Sequence, residues 1–533
     1  MPEIIRDPEV FEAYLEDASG APPGEAAGLA RIASEAEAST LLRRTLADGA
    51  RILCQAARTS LTGGAIPRRE LIVSVERMAE IGSVERCPTG AVVRVQPGVR
   101  LDTLREDLAR RGLYYPPVPT YEQAMIGGSV ATNAGGAATF KYGVTRQWVR
   151  GLRVLLFNGD LIELERGQIA LAPGEELRIL LSDGGELRVP VPDYALPDLK
   201  KVSAGYHAAD PLDPVDLFIG SEGTLGLITS ITLDLIPLPR SVVTGLVFFD
   251  SFSPALGLAA VLRKAALASR ERGDPAGPDV RAIESIDAGG LDLLRSSGET
   301  ARLRIRIPDV ARAALLFEME LPDPVDNDAA QRLLMRLLED GPASDDGPLA
   351  RLFRILLDHG ALEALEFAFP EDDDRRRALK EFREAVPRRA NEILRERRRE
   401  EPGIQKVAGD LIVPFERLAE IVRFYERGFD ERGLQYAIWG HLADGNLHPN
   451  ALPRDAGEVK AGVQAVLDFA DEVVRLGGCP LSEHGVGRDP LKQTLLRRFL
   501  GGSAIDTMRR IKRALDPPGR FAPGVLFPAD RDR

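Results

Sequence analysis

Three glycine-rich segments in the first half of the chain constrain its fold most strongly. They are residues 58–64 (RTSLTGG), 126–136 (IGGSVATNAGG) and 219–226 (IGSEGTLG). Consecutive glycines beside Ser, Thr and Asn allow several backbone N–H groups to point into one concavity, which can hold a diphosphate without many cationic side chains. None of the three fits G-x-G-x-x-G or G-x-x-x-x-G-K-[ST], so a Rossmann or P-loop site is disfavoured. Any one segment alone could be a simple tight turn, but the three together favour a diphosphate-binding fold.

Composition limits the class of protein further. At roughly 150 residues per domain, 533 residues predict two to four units. Hydrophobic residues make up 44% and charged residues 28%, as in ordinary globular enzymes. The formal net charge of -12 argues against a nucleic-acid partner, because phosphate binding needs clustered Lys and Arg.

Cysteine usage and hydropathy restrict the redox chemistry and the location. Cys54, Cys87 and Cys479 are scattered without C-x-x-C spacing, so neither a disulfide framework nor an iron–sulfur cluster is expected within this chain. The N-terminus has no apolar signal region, and no stretch approaches the roughly 18 apolar residues of a membrane span. We therefore expect a cytoplasmic protein without a transmembrane segment, and peripheral membrane association stays open.

Local patterns predict a mixed α+β organisation with long loops. Asn158-Gly159 predicts a hairpin with a two-residue type I′ turn, and Pro237 with Pro239 predicts a domain boundary near residue 240. The remaining elements expected in this part of the chain are a helix over 35–47 ended by Gly49, strands over 51–54 and 91–96, a helix over 101–111 closed by Gly112, and a strand over 225–236.

Three of the five histidines fall between residues 441 and 484. If Asp444-Gly445 is the two-residue turn of a hairpin, His441 lies opposite His448 with Cβ atoms about 5 Å apart, from which two imidazoles can reach one metal ion. Glu483 in the Ser-Glu-His-Gly-Val-Gly segment offers a carboxylate for such a site. Spacing alone leaves open a pair of surface histidines on a hairpin with an unrelated Glu-His.

Two of the glycine segments resemble a known family of flavoproteins. Residues 127–136, followed by Lys141-Tyr142-Gly143-Val144, resemble the flavin-binding signature of the vanillyl-alcohol oxidase and p-cresol methylhydroxylase superfamily, and residues 218–226 resemble its second block. The chain is similar to the D-lactate, glycolate and D-2-hydroxyglutarate dehydrogenase branch. The resemblance implies an N-terminal lead over 1–34, a two-subdomain FAD-binding domain over 35–240, an α+β cap (substrate) domain over 241–465, and a helical C-terminal segment over 466–533 that packs on the FAD domain.

The resemblance implies FAD as cofactor, held by the glycine loops. Many relatives carry glycines where this chain has Ala56, Ala57 and Arg58, which reduces the number of unhindered backbone donors. No histidine of the family type stands in these loops for flavin attachment, so FAD is expected to bind non-covalently. The residues implied in FAD binding are Arg58, Thr59, Ser60, Leu61, Thr62, Gly63, Gly64, Gly127, Gly128, Ser129, Ala131, Thr132, Asn133, Gly135, Gly136, Tyr142, Gly143, Glu222, Gly223, Gly226 and Ile228.

The histidine blocks also resemble that branch, since both His-x-x-Asp-Gly-Asn-x-His and Ser-Glu-His-Gly-Val-Gly occur in it. By resemblance His441, His448 and Glu483 would bind a divalent metal, with zinc the usual one, and His484 would be the base. Three further residues would contact the substrate or flavin, namely Asn446 and the cations Arg383 and Lys406. The chain has many arginines on predicted surface helices, so Arg383 could also be an ordinary surface residue.

The implied activity is FAD-dependent oxidation of a small D-2-hydroxy acid of the lactate, glycolate or 2-hydroxyglutarate type to the 2-oxo acid. The metal lowers the pKa of the 2-hydroxyl, His484 takes its proton, and the C2 hydride passes to flavin N5. Ala522 and Val525 stand where relatives commonly carry an Asn-Pro-Gly-Lys block, which leaves the electron acceptor open among a quinone, a cytochrome and a flavoprotein.

Other functions remain at this point. The chain could be the flavin subunit of a larger electron-transfer complex with an iron–sulfur partner subunit. It could also be a flavin-dependent transferase resembling alkylglycerone-phosphate synthase. A plain zinc hydrolase would explain the histidines but not the three glycine segments.

Overall fold

The chain divides into two compact units in a computed structural model that describes residues 2–88, 90–117, 119, 121–340 and 347–528. Unit 1 comprises Met1–Gly136, Gly143–Pro237 and Cys479–Arg533, and unit 2 comprises Ala137–Tyr142 and Leu238–Gly478. The chain thus leaves unit 1, builds unit 2 and returns. The class is mixed α/β, with helices and sheets in both units. No helix in the described ranges is long and apolar enough to cross a membrane.

The strands are numbered in chain order. They are β1 Gly28–Arg31, β2 Ile52–Gln55, β3 Leu71–Ser74, β4 Ile81–Cys87, β5 Gly90–Val95, β6 Leu113–Tyr114, β7 Val149–Leu155, β8 Leu161–Glu165, β9 Glu176–Leu180, β10 Glu186–Pro190, β11 Leu227–Pro237, β12 Ser241–Phe249, β13 Asp279–Ile286, β14 Ala313–Leu321, β15 Leu365–Ala368, β16 Val407–Ala408, β17 Leu411–Ile412, β18 Tyr436–His441 and β19 Asn446–Ala451.

The α-helices follow the same convention. They are α1 Pro8–Phe11, α2 Glu35–Ala47, α3 Leu101–Arg110, α4 Ile126–Ala131, α5 Thr139–Tyr142, α6 Pro214–Phe218, α7 Phe252–Arg272, α8 Ala288–Arg295, α9 Glu299–Leu303, α10 Asn327–Asp340, α11 Pro348–Asp358, α12 Asp373–Glu400, α13 Leu418–Asp430, α14 Ala456–Arg475 and α15 Pro490–Leu515.

Unit 1 contains a parallel sheet in the order β1-β3-β2 and an antiparallel sheet in the order β4-β5-β11-β7-β8, in which β6 also pairs with β11. Helix α2 begins where Ser34 accepts a hydrogen bond from Glu37 N and the Glu37 carboxylate accepts one from Ala33 N, which is a reciprocal cap. Its apolar face, Ala38, Leu41 and Leu42, joins the core over the parallel sheet. The predicted helix over 35–47 is confirmed, and the predicted strands and second helix lie within two residues of the observed ones.

The hairpin predicted at Asn158-Gly159 is present between β7 and β8, but its turn differs from the expected one. Leu156 N donates to Asp160 O, so three residues, 157–159, form the loop, and Gly159 takes the left-handed conformation at φ +80. The carboxylate of Asp160 accepts from the Asn158 side-chain amide and from Ser182 N, which holds this longer loop. A two-residue type I′ turn was therefore the wrong prediction.

The last part of the chain is tied into unit 1 by a buried arginine. After α15, Phe521 forms a parallel bridge to Ile52 at the edge of the first sheet. Arg520 is 1% exposed and donates to the carbonyl oxygens of Ala50, Leu42 and Phe157 and to Thr45 Oγ1. The return segment is thus an integral part of the first unit.

Unit 2 is built on an antiparallel sheet in the order β15-β12-β14-β13-β18-β19-β16, with β17 also paired to β19. Helices α8 and α12 pack on it through a core that includes Leu291, Phe382 and Val386. The sheet carries β18 and β19, on which two of the predicted ligands stand.

The division of the chain differs from the expected ranges in three places. Strand β1 belongs to the first sheet, so residues before 35 are more than a lead. Residues 137–142 belong to unit 2. Helix α14 continues to Arg475, so the return begins at Cys479 instead of residue 466.

Candidate functional site

The three glycine segments meet in unit 1 although more than 150 residues separate the first from the last. Glu222 N donates to Ala131 O over 2.8 Å, and Gly220 N donates to Val130 O over 3.0 Å, which joins the third segment to the second. A Cβ atom added at Gly64 would lie 3.7 Å from Glu222 Oε2, and one added at Gly128 would lie 3.5 Å from the Cβ of Ala56. The segments therefore form one small-residue surface.

Glycine is required at several of these positions for different reasons. A Cβ at Gly127 would lie 2.6 Å from the Cβ of Pro97, and one at Gly226 would lie 2.7 Å from Val154 Cγ1, so both allow close packing. At Gly63, with φ +70, the nearest atoms to such a Cβ are 3.9 Å away, which leaves that face of the backbone open. This open, Cβ-free surface fits the diphosphate of a dinucleotide such as FAD.

The other residues expected to bind FAD lie in unit 1 with one exception, and Arg58 has a further contact there. The Arg58 guanidinium lies over the ring of Tyr14, 4.4 Å from its centroid. Tyr142 belongs to unit 2, where its hydroxyl donates to the Glu320 carboxylate over 2.7 Å. The remainder stay in the first unit: Thr59, Ser60, Leu61 and Thr62 in the first segment, Ser129, Ala131, Thr132, Asn133, Gly135 and Gly136 in the second, and Gly143, Gly223 and Ile228.

Glu222 binds the backbone of a distant loop, a contact that the sequence did not predict. Its two carboxylate oxygens accept hydrogen bonds from Val486 N and Gly487 N, each over 2.8 Å. Burial raises the pKa of Glu222 to about 7, against the lowering effect of those two hydrogen bonds. The third glycine segment therefore holds the loop that follows Glu483 and His484.

Glu483 is paired with a lysine that sequence reasoning missed. Lys201 Nζ lies 2.8 Å from Glu483 Oε2, and their side chains are 0% and 9% exposed. His484 Nε2 lies 3.7 Å from Glu483 Oε1, with the imidazole partly exposed. Lys201 stands 282 residues before Glu483 and belongs to no motif, so only the structure relates the two.

In unit 2, His441 and His448 lie close together, as predicted, but in a different register. His441 pairs with Asn446 and Trp439 pairs with His448, because the connection has four residues, with a 3-10 turn over Leu442–Asp444 and Gly445 at φ +82. The predicted two-residue turn and direct pairing of the histidines are wrong. Since the shift is two residues, both imidazoles still stand on one face, with ring centroids 5.6 Å apart.

A buried carboxylate contacts His441. Glu284 on β13 lies directly opposite His441 in the sheet, and its Oε1 is 2.5 Å from His441 Nδ1. Its second oxygen, Oε2, is 2.7 Å from Nε of Arg383 on α12. The side chains of all three residues are less than a tenth exposed. The structure thus brings the predicted Arg383 next to a predicted metal ligand through a residue that the sequence did not single out.

A second buried carboxylate contacts His448. Asp410 Oδ1 lies 3.5 Å from His448 Nδ1, and the predicted Asn446 donates from Nδ2 to the same oxygen over 3.3 Å and to Leu411 O over 3.2 Å. Lys406 is partly exposed just before β16, and its role stays a prediction.

Two buried imidazoles with a carboxylate beside each are a donor set suited to a divalent metal of the zinc type. Histidine ligands commonly donate their second ring N–H to a carboxylate, which fixes the tautomer and orients the ring. Unit 2 therefore fits the metal expected from the sequence. Glu483 as the third ligand and His484 as the base belong to unit 1 and stay predictions.

The small-residue surface of unit 1 and the histidine–carboxylate cluster of unit 2 are features that suit a flavin-dependent oxidoreductase, and comparison with known proteins specifies the family. Residues 238–526 match the C-terminal domain of FAD linked oxidases, and residues 26–165 match an FAD binding domain. The chain belongs to the FAD linked oxidases, with an FAD-binding domain of the p-cresol methylhydroxylase type, and is an oxidoreductase.

Similar proteins align with most of the chain. The glycolate oxidase subunit GlcD of Bacillus subtilis (strain 168) is 28% identical over 89% of this chain and 83% of its own. The D-lactate dehydrogenase of Anaerostipes hadrus is 26% identical over 88% of this chain and 83% of its own. A solved structure of alkyldihydroxyacetonephosphate synthase aligns with a TM-score of 0.60 at 15% identity, covering 98% of this chain and 82% of that one, which shows the fold alone.

Proposed function

We propose that this protein oxidises a small D-2-hydroxy acid of the lactate, glycolate or 2-hydroxyglutarate type to the 2-oxo acid, using FAD and a divalent metal, with zinc the expected one. The observation that carries the proposal is the buried His441–His448 pair, with Glu284 and Asp410 beside the imidazoles, within a chain of the FAD linked oxidases. The names of two relatives, a glycolate oxidase subunit and a D-lactate dehydrogenase, favour this substrate class.

Each cofactor supplies one part of the chemistry. The glycine segments of unit 1 would hold FAD, which would supply the acceptor for the hydride lost from substrate C2. A divalent metal held by His441, His448 and Glu483 would lower the pKa of the substrate hydroxyl.

The side chains of the chain position the substrate and move its proton. His484 accepts the hydroxyl proton, a role suited to an imidazole, whose ordinary pKa is about 6.5. Arg383 binds the substrate carboxylate, because a guanidinium offers two parallel N–H donors, and Lys406 adds a second positive charge. Asn446, held on Asp410, presents its amide next to the reacting group.

Anaerobic flavin reduction tests these roles together. Purified protein should be yellow and should bleach with a D-2-hydroxy acid but not with its L-enantiomer, and a metal chelator should slow the bleaching. His484→Ala should slow flavin reduction by about 10²–10⁴-fold, the usual contribution of a general base. His359→Ala is the matched control, because His359 is an exposed imidazole at the end of α11. A colourless preparation without FAD, or H484A that reduces as fast as wild type, would contradict the proposal.

One observation favours a second candidate, the flavin subunit of a larger electron-transfer complex. The similar protein from Bacillus subtilis is named as a subunit, and Cys54, Cys87 and Cys479, all within the described ranges, form no disulfide with one another. An iron–sulfur partner subunit would then carry electrons from FAD to a quinone, a cytochrome or another flavoprotein. Co-purification with a cysteine-rich protein, and flavin that reduces but reoxidises slowly without it, would select this candidate.

A further inference from the structure

We infer that Glu284 is a positioning residue that acts on the metal centre and on substrate recognition at once. It fixes the tautomer of His441 so that Nε2 carries the lone pair for a metal, and it aligns Arg383 for a substrate carboxylate. The inference deepens the proposed function and rests on it.

The geometry places one oxygen of Glu284 on each partner. Oε1 lies 2.5 Å from His441 Nδ1 in a hydrogen bond, and Oε2 lies 2.7 Å from Arg383 Nε in an ion pair that does not have hydrogen-bond geometry. The contacts come from three different elements, β13, β18 and α12, and Glu284 pairs with His441 directly across the β13–β18 ladder. A side chain fixed by the sheet on one side and by a long helix on the other has little freedom to move.

The chemistry of each contact gives Glu284 its two tasks. An ionised carboxylate only accepts hydrogen bonds, so the facing Nδ1 of His441 must carry the ring proton, which leaves Nε2 as the acceptor atom. Carboxylates that hold a ligating histidine in this way raise its basicity and orient the ring.

Arg383 is needed because a buried carboxylate is costly without a counter-charge. The contact of Glu284 uses only Nε, and neither Nη group of Arg383 forms a hydrogen bond to another of the described residues. Both Nη groups therefore remain for a carboxylate ligand. A substrate acid would thus be recognised by an arginine whose position depends on the same side chain that sets the metal ligand.

A neighbouring pair supplies a matched control. Glu318, on β14 of the same sheet, is 4% exposed and lies 3.0 Å from Arg281, which resembles the pairing of Glu284 with Arg383. Glu318 has no contact with a histidine among its described partners. Loss of the Glu318 charge should perturb the fold much as loss of the Glu284 charge does, without affecting a metal ligand.

The test measures metal affinity, separately from turnover. Wild type, Glu284→Gln, Glu284→Asp and Glu318→Gln, each with FAD bound and freed of metal with a chelator, are titrated with Co²⁺ by its visible absorption and then with Zn²⁺ in competition with a chelator. We expect the E284Q and E284D variants to bind both ions about 10–100-fold more weakly, as is usual for loss of a carboxylate that supports a histidine ligand. The E318Q variant should bind as wild type does, and KM for the hydroxy acid should rise in E284Q but not in E318Q.

The outcomes separate the inference from the proposed function. Wild type that binds neither ion would overturn the metal-dependent function itself. Wild-type binding with equal affinity in E284Q, or in E284D should E284Q fail to fold, would overturn the role of Glu284 alone. Equal weakening in E284Q and E318Q would also overturn it, because the effect would then come from a general disturbance of the sheet.

Discussion

Replacing Lys201 by methionine should destabilise unit 1 strongly, because it removes the ammonium group that faces a buried carboxylate. The Lys201 side chain is 0% exposed, and its ammonium lies 2.8 Å from Glu483 Oε2, whose side chain is 9% exposed. Breaking a buried ion pair by removing one member costs about 3–5 kcal/mol. At about 2 °C per kcal/mol for a unit of this size, the expected fall in Tm is roughly 6–10 °C.

A double-mutant cycle distinguishes the pair from its two members. Wild type, K201M, E483Q and the K201M/E483Q double variant are unfolded thermally, with FAD saturating and a chelator present so that metal binding does not contribute. The double variant should be more stable than K201M, with an interaction free energy of about 2–3 kcal/mol, since both charges are then gone.

An exposed pair in the same unit provides the reference for this cycle. Arg69 Nε lies 2.9 Å from Glu25 Oε2, but the two side chains are 83% and 72% exposed. Surface pairs contribute at most about 1 kcal/mol, so Glu25→Gln should change Tm by no more than about 2 °C. Additive effects of K201M and E483Q, or a K201M effect as small as that of E25Q, would refute the reasoning from burial.

Three further predictions use other parts of the chain. Gly127→Ala should weaken FAD binding and lower Tm far more than Gly128→Ala. The new Cβ atom would lie 2.6 Å from the Cβ of Pro97 at Gly127, but 3.5 Å from the Cβ of Ala56 at Gly128. FAD titration of both apoproteins measures the difference in affinity, and equal effects of the two substitutions would contradict the prediction. Burial raises the pKa of Asp287, the N-cap of α8, to about 7, so the native state holds this proton more tightly than the unfolded state, and the contribution to stability falls as pH rises from about 4 to 7. Asp287→Asn keeps the cap and should therefore gain stability relative to wild type between pH 5 and pH 8, whereas a Tm difference independent of pH would oppose this. Arg520→Met removes four hydrogen bonds from a buried guanidinium and should cost on the order of 4 kcal/mol or more in unfolding free energy, and a loss below about 1 kcal/mol would mean that the C-terminal return is held by other contacts.

Local signals in the sequence predicted local structure well. Helix α2 was predicted to the residue from its helical pattern and from Gly49, both of which lie within or beside the segment itself. The structure adds that Ser34 and Glu37 cap its first turn. The three glycine segments were predicted to act together, and they do meet, because their small residues permit the close approach that the fold requires.

Features that depend on distant parts of the chain were not predictable in the same way. The loop between His441 and His448 has four residues because Gly445 is held by Val413, whose N–H donates to Gly445 O, and a Cβ there would lie 2.0 Å from Val413 O. Glu284 and Lys201 are single charged residues outside any motif, 157 and 282 residues from the side chains that they contact. Their contacts depend on sheet register and loop packing, which cannot be predicted from the local pattern of a single sequence.

The return of the chain to unit 1 has a consequence for synthesis on the ribosome. Residues 479–533, which include His484 and the buried Arg520, follow the whole of Leu238–Gly478 in order of translation. At 5–20 residues per second, the early part of unit 1 is synthesised roughly 14–57 seconds before Arg520 and Phe521, which supply its buried guanidinium and its bridge partner at Ile52. During that interval the edge at Ile52, which Phe521 later covers, is available to chaperones and to other nascent chains. Unit 2 can fold before unit 1 is complete, so the order of folding along this chain need not follow the order of its sequence.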